Sequence, residues 1–224
     1  MAFVRPAIYD NAVVRQPQQG DLIANSEAIL PVTSTAVAFQ LTGSALASGI
    51  ISRSGPAAAY ADIFPTPVDL LSALLNNVYV GGGAVSPIGI QQFLSFRLRF
   101  INSVAFANTL TAPTGVTLGG VTAISASSVK DYLVTITNGA PQVIYSGNVT
   151  NGSAVLSNFF QTAMTNITIG ALVSGTGIPA GATVIGIGNN NSITLSANAT
   201  ATTVNTALTF SPTYRVDSIG QGLL

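Results

Sequence analysis

Histidine, cysteine and tryptophan are absent from the sequence, and ionisable side chains of other kinds are scarce, with seven Lys or Arg and seven Asp or Glu in 224 residues. Each absence removes a class of chemistry. Without cysteine there are no disulfides and no zinc-thiolate sites. Without histidine and cysteine the commonest general bases and nucleophile pairs are missing, and with them the serine triad. Soluble domains carry roughly a quarter of their residues as charges. This chain carries 6% and is 48% hydrophobic, with a mean hydropathy of +0.54. Long apolar runs are lacking too: a membrane-crossing helix requires about 18 residues, and Ser, Thr, Asn and Gly break every stretch well short of that. Arg5 and Asp10 stand where a signal peptide would have its apolar core. The expectation is a soluble protein made in the cytoplasm, with no membrane partner.

The seven cations, Arg5, Arg15, Arg53, Arg97, Arg99, Lys130 and Arg215, are scattered along the chain, whereas a nucleic-acid binder needs a clustered basic face. Nucleic acid is therefore not an expected partner. A zero net charge built from few charges of either sign removes the repulsion that keeps molecules apart in solution. Surface ion pairs contribute at most about 1 kcal/mol each, so apolar burial, within and between chains, must dominate. Such a composition suits a component of an assembly.

What is present has β character. Twenty-two Gly and eleven Pro punctuate short runs rich in Val, Ile, Thr and Phe, the pattern of many strands joined by turns. Residues 94–100 alternate strictly, with Leu94, Phe96, Leu98 and Phe100 on one face and Ser95, Arg97 and Arg99 on the other. Residues 131–137 repeat the pattern with Tyr132, Val134 and Ile136. Further strands are expected over 182–187, 192–196 and 207–211, all in antiparallel sheets. One short helix, 66–76, has Thr66 as its N-cap, Pro67 and Asp69 in its first turn, and Leu70, Leu71, Leu74 and Leu75 as a single stripe. At about 11 residues it would be only ~16 Å long, enough to cover a sheet. Residues 1–60 are broken by Pro6, Pro17, Pro31 and Pro56 and read as an extended N-terminal arm with a few strands, able to lie on another subunit.

Several motifs resemble sites without meeting their requirements. Gly175-x-Gly177-x-x-x-Gly181 lacks the following helix that a dinucleotide fingerprint needs, and Pro179 interrupts it. It reads as a turn. Gly81 to Gly83 lack the Lys-Ser/Thr of a phosphate loop. The Asn-x-Ser/Thr triplets at Asn148, Asn151, Asn166, Asn190 and Asn198 read as turn and strand chemistry. A polysaccharide hydrolase would need two carboxylates about 5–10 Å apart. Asp62 and Asp69 are the nearest pair with helical context, and Asp69 is explained as a first-turn acid. No catalytic, cofactor-binding or metal residue is assigned, and no enzymatic activity or cofactor is expected. The candidate interface residues are Arg5, Tyr9 and Arg15 on the arm and Arg97 and Arg99 on the strand. The two strand arginines are either solvated or present planar forks to carboxylates of a neighbouring subunit.

Two stretches carry a resemblance. Leu98-Arg-Phe-Ile-Asn-Ser, Asn108-Thr-Leu-Thr-Ala-Pro-Thr-Gly-Val-Thr-Leu-Gly-Gly and Val129 to Thr137 look like a module of tailed-bacteriophage structural proteins. It covers about residues 60–140, with Gln18-Gln-Gly-Asp-Leu22 fitting the same pattern. Val173 to Val184 followed by Ser192 to Thr200 is similar to a small β module recurring in phage head and tail proteins. Tyr214 to Gly222 resembles the strand that would follow Thr137 in the first module.

The resemblance implies a mainly β virion protein with a jelly-roll-like or other antiparallel β-sandwich core over 61–144 plus 212–224 and an inserted small β domain over 145–211. Pairing of Tyr214 or Val216 with the 94–137 strands is the mark of that insertion. The implied role is a capsid cement or decoration protein on the capsid exterior. Its partners would be the major capsid protein and copies of itself, as a homotrimer. A tail-associated structural or receptor-binding protein is the second reading.

Overall fold

The computed structural model describes residues 9–10, 13–14, 29–36, 38–78, 94–159, 166–188 and 191–223. The chain is mainly β. A small antiparallel pair, β1 (Tyr9–Asp10) and β2 (Val13–Val14), comes first. It is followed by β3 (Ile29–Thr33), β4 (Ala38–Gln40), α1 (Gly43–Ala47), β5 (Ile50–Ser54), β6 (Tyr60–Ile63), α2 (Pro67–Val78) and β7 (Ser95–Asn102). Next come β8 (Asn108–Thr111), β9 (Val116–Gly119), β10 (Ala123–Ile124) and β11 (Ser128–Asn138).

From β3 to β11 the chain changes sheet at every strand. The odd-numbered strands lie in a six-stranded sheet and the even-numbered ones in a four-stranded sheet. A chain that crosses over and returns enters its first sheet running the same way, so β3, β5 and β7 pair parallel, as do β4, β6 and β8. This corrects the expectation of antiparallel pairing throughout. Only after β8 do neighbouring strands run in opposite directions: β10 is antiparallel to β8, and β11 to β7.

Two helices, not the one expected, lie among the described residues. Thr42 caps α1 by accepting from the Ala45 amide at 3.1 Å, and Ala45, Leu46 and Ala47 are buried. Thr66 caps α2, accepting from the Asp69 amide at 3.2 Å. The Asp69 carboxylate then accepts from the Gly43 amide at 2.6 Å, tying the two helix N-termini together. A Cβ on Gly43 would collide with the Asp69 carbonyl, so only glycine permits this approach. The stripe Leu70, Leu71 and Leu74 is buried as its spacing predicts, and it joins Phe64, Phe96, Leu98, Phe100, Val134 and Ile136 in one core. Each such residue contributes about 1.5–3 kcal/mol on full burial.

Residues 29–36 and 38–60 belong to these layers, a departure from the extended arm expected over 1–60; Leu41 and Ile51 are fully buried. Pro31 sits in the edge strand β3 and Pro56 in the β5–β6 turn, both places where a missing N–H breaks no ladder.

After β11 comes a unit with its own core, made of β12 (Val143–Val149), β13 (Val155–Leu156), β14 (Leu172–Ser174), β15 (Val184–Gly188), β16 (Ser192–Leu195) and β17 (Thr203–Ser211). Its sheets run β12-β17-β14 and β13-β16-β15. They enclose Val149, Leu156, Phe159, Val173, Val184, Ile193, Leu195, Leu208 and Phe210, and the rings of Phe159 and Phe210 meet edge-on at 6.0 Å. The last strand, β18 (Thr213–Leu223), returns to the six-stranded sheet between β11 and β9. There Ile136 lies opposite Tyr214 and Val134 opposite Val216. At the junction the Asn138 side chain donates to Thr168 Oγ1 at 2.7 Å and to the Ile169 carbonyl at 3.0 Å, while the hydroxyls of Thr137 and Thr213 meet at 2.7 Å.

Candidate interface surface

Alternation along β7 buries Phe96, Leu98 and Phe100 and turns Arg97 and Arg99 outward. The antiparallel register places Asp131 of β11 opposite Arg99. Both arginines converge on that carboxylate: Arg97 Nη2 donates to Oδ2 at 2.6 Å, and Arg99 Nε and Nη2 donate to Oδ1 and Oδ2 at 2.9 and 3.1 Å. The hydrogen bonds from Arg99, then Arg97, hold the Asp131 carboxyl below the usual carboxylate range against the opposing effect of burial.

One strand further, Arg215 Nε donates to both oxygens of Asp217 at 2.8 Å. That pair lies over Gly119 of β9, where a Cβ would collide with the Asp217 carboxylate. Three cations and two anions thus share one sheet face, an excess of a single positive charge. Arg97 and Arg99, read in the sequence as either solvated or facing carboxylates of a neighbouring subunit, are half exposed and bind a carboxylate of their own sheet. Arg5 and Arg15 lie outside the described residues, as does the side chain of Tyr9.

A second polar cluster is sealed between the sheets. Arg53 of β5 and Asp62 of β6 are both fully buried, with Nε 3.0 Å from Oδ2. Arg53 Nη1 also donates to the carbonyls of Ser34 and Ser54 at 2.8 and 2.9 Å. Its guanidinium lies 5.1 Å from the ring centroids of both Phe39 and Tyr60. Asp62 Oδ2 accepts from Asn108 Nδ2 at 2.9 Å, and the Tyr60 hydroxyl donates to Asn102 Oδ1 at 2.8 Å. Burial raises the Asp62 carboxyl above its ordinary value, opposed by the hydrogen bond and charge of Arg53; burial likewise pushes the Tyr60 phenol up to about 12. Lys130, also buried, donates to the Ala123 carbonyl at 3.0 Å, and desolvation lowers its pKa. This cluster is closed to solvent, and its chemistry is to staple one sheet to the other.

The two carboxylates paired in the sequence do not converge on one site. Asp62 binds Arg53 in the interior, while the exposed Asp69 binds the Gly43 amide. Gly175 to Gly181 form the β14–β15 connection, with positive φ at Gly175, Gly177 and Gly181. A groove of about 120 Å³ runs between Val68, Leu71 and Leu75 of α2 and Pro141 and Pro212. Small-molecule sites usually start near 300 Å³.

The surface that sequence reasoning missed lies on the inserted unit. Residues 132–214 contain no Asp, Glu, Lys or Arg, yet Ile144, Val155, Ile169, Ile185, Ile187 and Val204 are exposed there, Val204 by 70% and Ile144 by 63%. The signal was present as an uninterrupted charge-free stretch, which a count over the whole chain averages away. No family model, no curated protein and no solved structure matches the chain.

Proposed function

We propose that the chain is a structural protein of a tailed-phage virion, a cement or decoration protein that binds the major capsid protein on the capsid exterior and stabilises the head. The observation that carries the reading is the charge-free stretch 132–214 with its exposed aliphatic side chains. Apolar surface without interspersed charge is costly in water and suits burial against protein. The sequence resemblance over 98–137 and 173–200 points the same way. The two sheets around the main core are read as the layers of a β-sandwich, a stiff base from which the inserted unit projects.

The role is mechanical and involves no catalysis, cofactor or metal. Copies of the chain, associated as a trimer, bridge capsid subunits through many modest contacts that act together by effective concentration. Assembly takes place in the host cytoplasm. Heads lacking this protein should release genome at lower temperature than complete heads, followed by dye access to DNA during a thermal ramp. Equal release temperatures would defeat the reading.

The separate core of the inserted unit favours one alternative, a tail-associated structural or receptor-binding protein with the unit as its adhesive tip. Copy number distinguishes the two, because cement requires hundreds of copies per virion and a tail protein a few dozen at most.

A further inference from the structure

We infer that Phe106 is the anchor by which the main body of this chain seats on the shell beneath it, its ring entering an uncharged apolar pocket of the major capsid protein. This rests on the reading above and adds the residue that makes the contact.

Phe106 lies in the β7–β8 connection, and the strand register fixes where that connection stands. Asn102 at the end of β7 pairs with Ser128 at the start of β11, whereas the inserted unit leaves β11 after Asn138. The length of β11 puts the two ends roughly 34 Å apart. Phe106 therefore stands on the side of the main body that faces away from the projecting unit.

Of the described phenylalanines Phe106 alone is exposed, by 40%. A single exposed apolar side chain is ordinary, but this one is neither isolated nor loosely held. Ala105 and Ala107 beside it are exposed, and the Tyr60 amide donates to the Ala107 carbonyl at 3.2 Å, which brings the exposed Ala57, Ala58 and Ala59 alongside. Asn102, fully buried, holds the loop in place. Its Nδ2 donates to the carbonyls of Phe106 and Ser125, both at 2.9 Å, and its Oδ1 accepts from the Val104 amide at 3.1 Å and the Tyr60 hydroxyl at 2.8 Å, the full capacity of a carboxamide. The Ser127 amide adds a bond to the Val104 carbonyl at 2.9 Å. An aromatic ring on a loop already fixed loses little freedom on binding, and interfaces concentrate their energy on a few such side chains at an uncharged centre.

The chemistry of the seat follows from the surroundings of the ring. No Asp, Glu, Lys or Arg occurs in 54–61 or 100–129, so the matching pocket carries no charge. A second copy is a poor seat: the apolar groove between α2, Pro141 and Pro212 is at the opposite end. Rings seated there would string copies head to tail into an open filament, which does not decorate a closed shell.

The test adds the purified full-length chain to heads that lack it and measures binding by co-sedimentation. Phe106→Ser is expected to bind about thirtyfold more weakly than wild type, with unchanged Tm and circular dichroism because the side chain is exposed. Phe106→Leu, which keeps apolar contact, should fall between the two. Light scattering of the free protein should give Phe106→Ser the wild-type mass. Equal binding by Phe106→Ser would overturn the inference and leave the capsid reading standing. A smaller mass for the free variant would also overturn it, placing Phe106 between copies. Heads that bind neither chain would defeat the capsid reading, and the inference with it. Should Phe106→Ser lose its fold, Ala58→Lys, a charge set in the same patch, gives the same readout.

Discussion

Replacing Arg53 by methionine tests the internal staple most directly. The substitution keeps the length of the side chain and removes its charge, its two hydrogen bonds to the Ser34 and Ser54 carbonyls and its ion pair with Asp62. The carboxylate is left fully buried, still accepting from the Asn108 side chain. Removing one member of a buried pair costs about 3–5 kcal/mol. For a chain of this size that corresponds to a fall in Tm of about 6–20 °C.

The loss should depend on pH. Burial already raises the Asp62 carboxyl, and Arg53 is the main group holding it down; without Arg53 it rises further. A group whose folded pKa exceeds its unfolded value of about 3.9 contributes stability that is complete below that value and disappears as pH rises through the folded pKa. The deficit of Arg53→Met relative to wild type should therefore be smaller near pH 4 than near pH 7. Urea unfolding followed by circular dichroism at both pH values measures it. Arg53→Met/Asp62→Leu, which removes both charges, should recover most of the loss at pH 7. A single-variant cost below about 1 kcal/mol, or a deficit that does not change with pH, would refute the argument.

Asp131→Asn should cost no more than about 1 kcal/mol, because the two arginines that bind Asp131 are half exposed. Its depressed carboxyl contributes stability above about pH 3.9 that is lost as pH falls through the folded value, so the variant should unfold with a shallower acid limb. Gly147→Ala places a Cβ 2.6 Å from Phe159 Cζ, and with that ring buried in the second core the cost is about 1–3 kcal/mol, seen in the unfolding of the inserted unit alone. Because Asn138 and Thr213 are register partners, replacing 139–212 by Asn-Gly should close β11 and β18 as a hairpin. The shortened chain should remain folded with a single cooperative transition by calorimetry, and its failure to fold would contradict two independent cores.

Legibility followed local pattern. The alternation of β7 and β11 and the capped leucine stripe of α2 are one-dimensional signals, and each marks the element that forms. The parallel pairings come from the chain shuttling between sheets, which no local window contains. Helix α1 escaped notice because five residues, Gly-Ser-Ala-Leu-Ala, give too little periodicity and no charge, and its definition comes from Thr42 and from packing on α2. Arg53 looked like one more scattered cation. Its inward face could have been read from Ile51 two residues earlier, and that of Asp62 from Tyr60, because i and i+2 share a side. For Arg97 and Arg99 the strand face was legible, but their common partner Asp131 required the register.

The inserted unit hangs from two neighbouring strands, β11 and β18, that leave the six-stranded sheet at the same end. A tensile load applied to its tip would therefore draw both strands the same way, leaving the rungs between them closed and loading in shear the ladders that join β11 to β7 and β18 to β9. Shear stretches several rungs at once, so the appendage is anchored like a tenon held between two flanking strands.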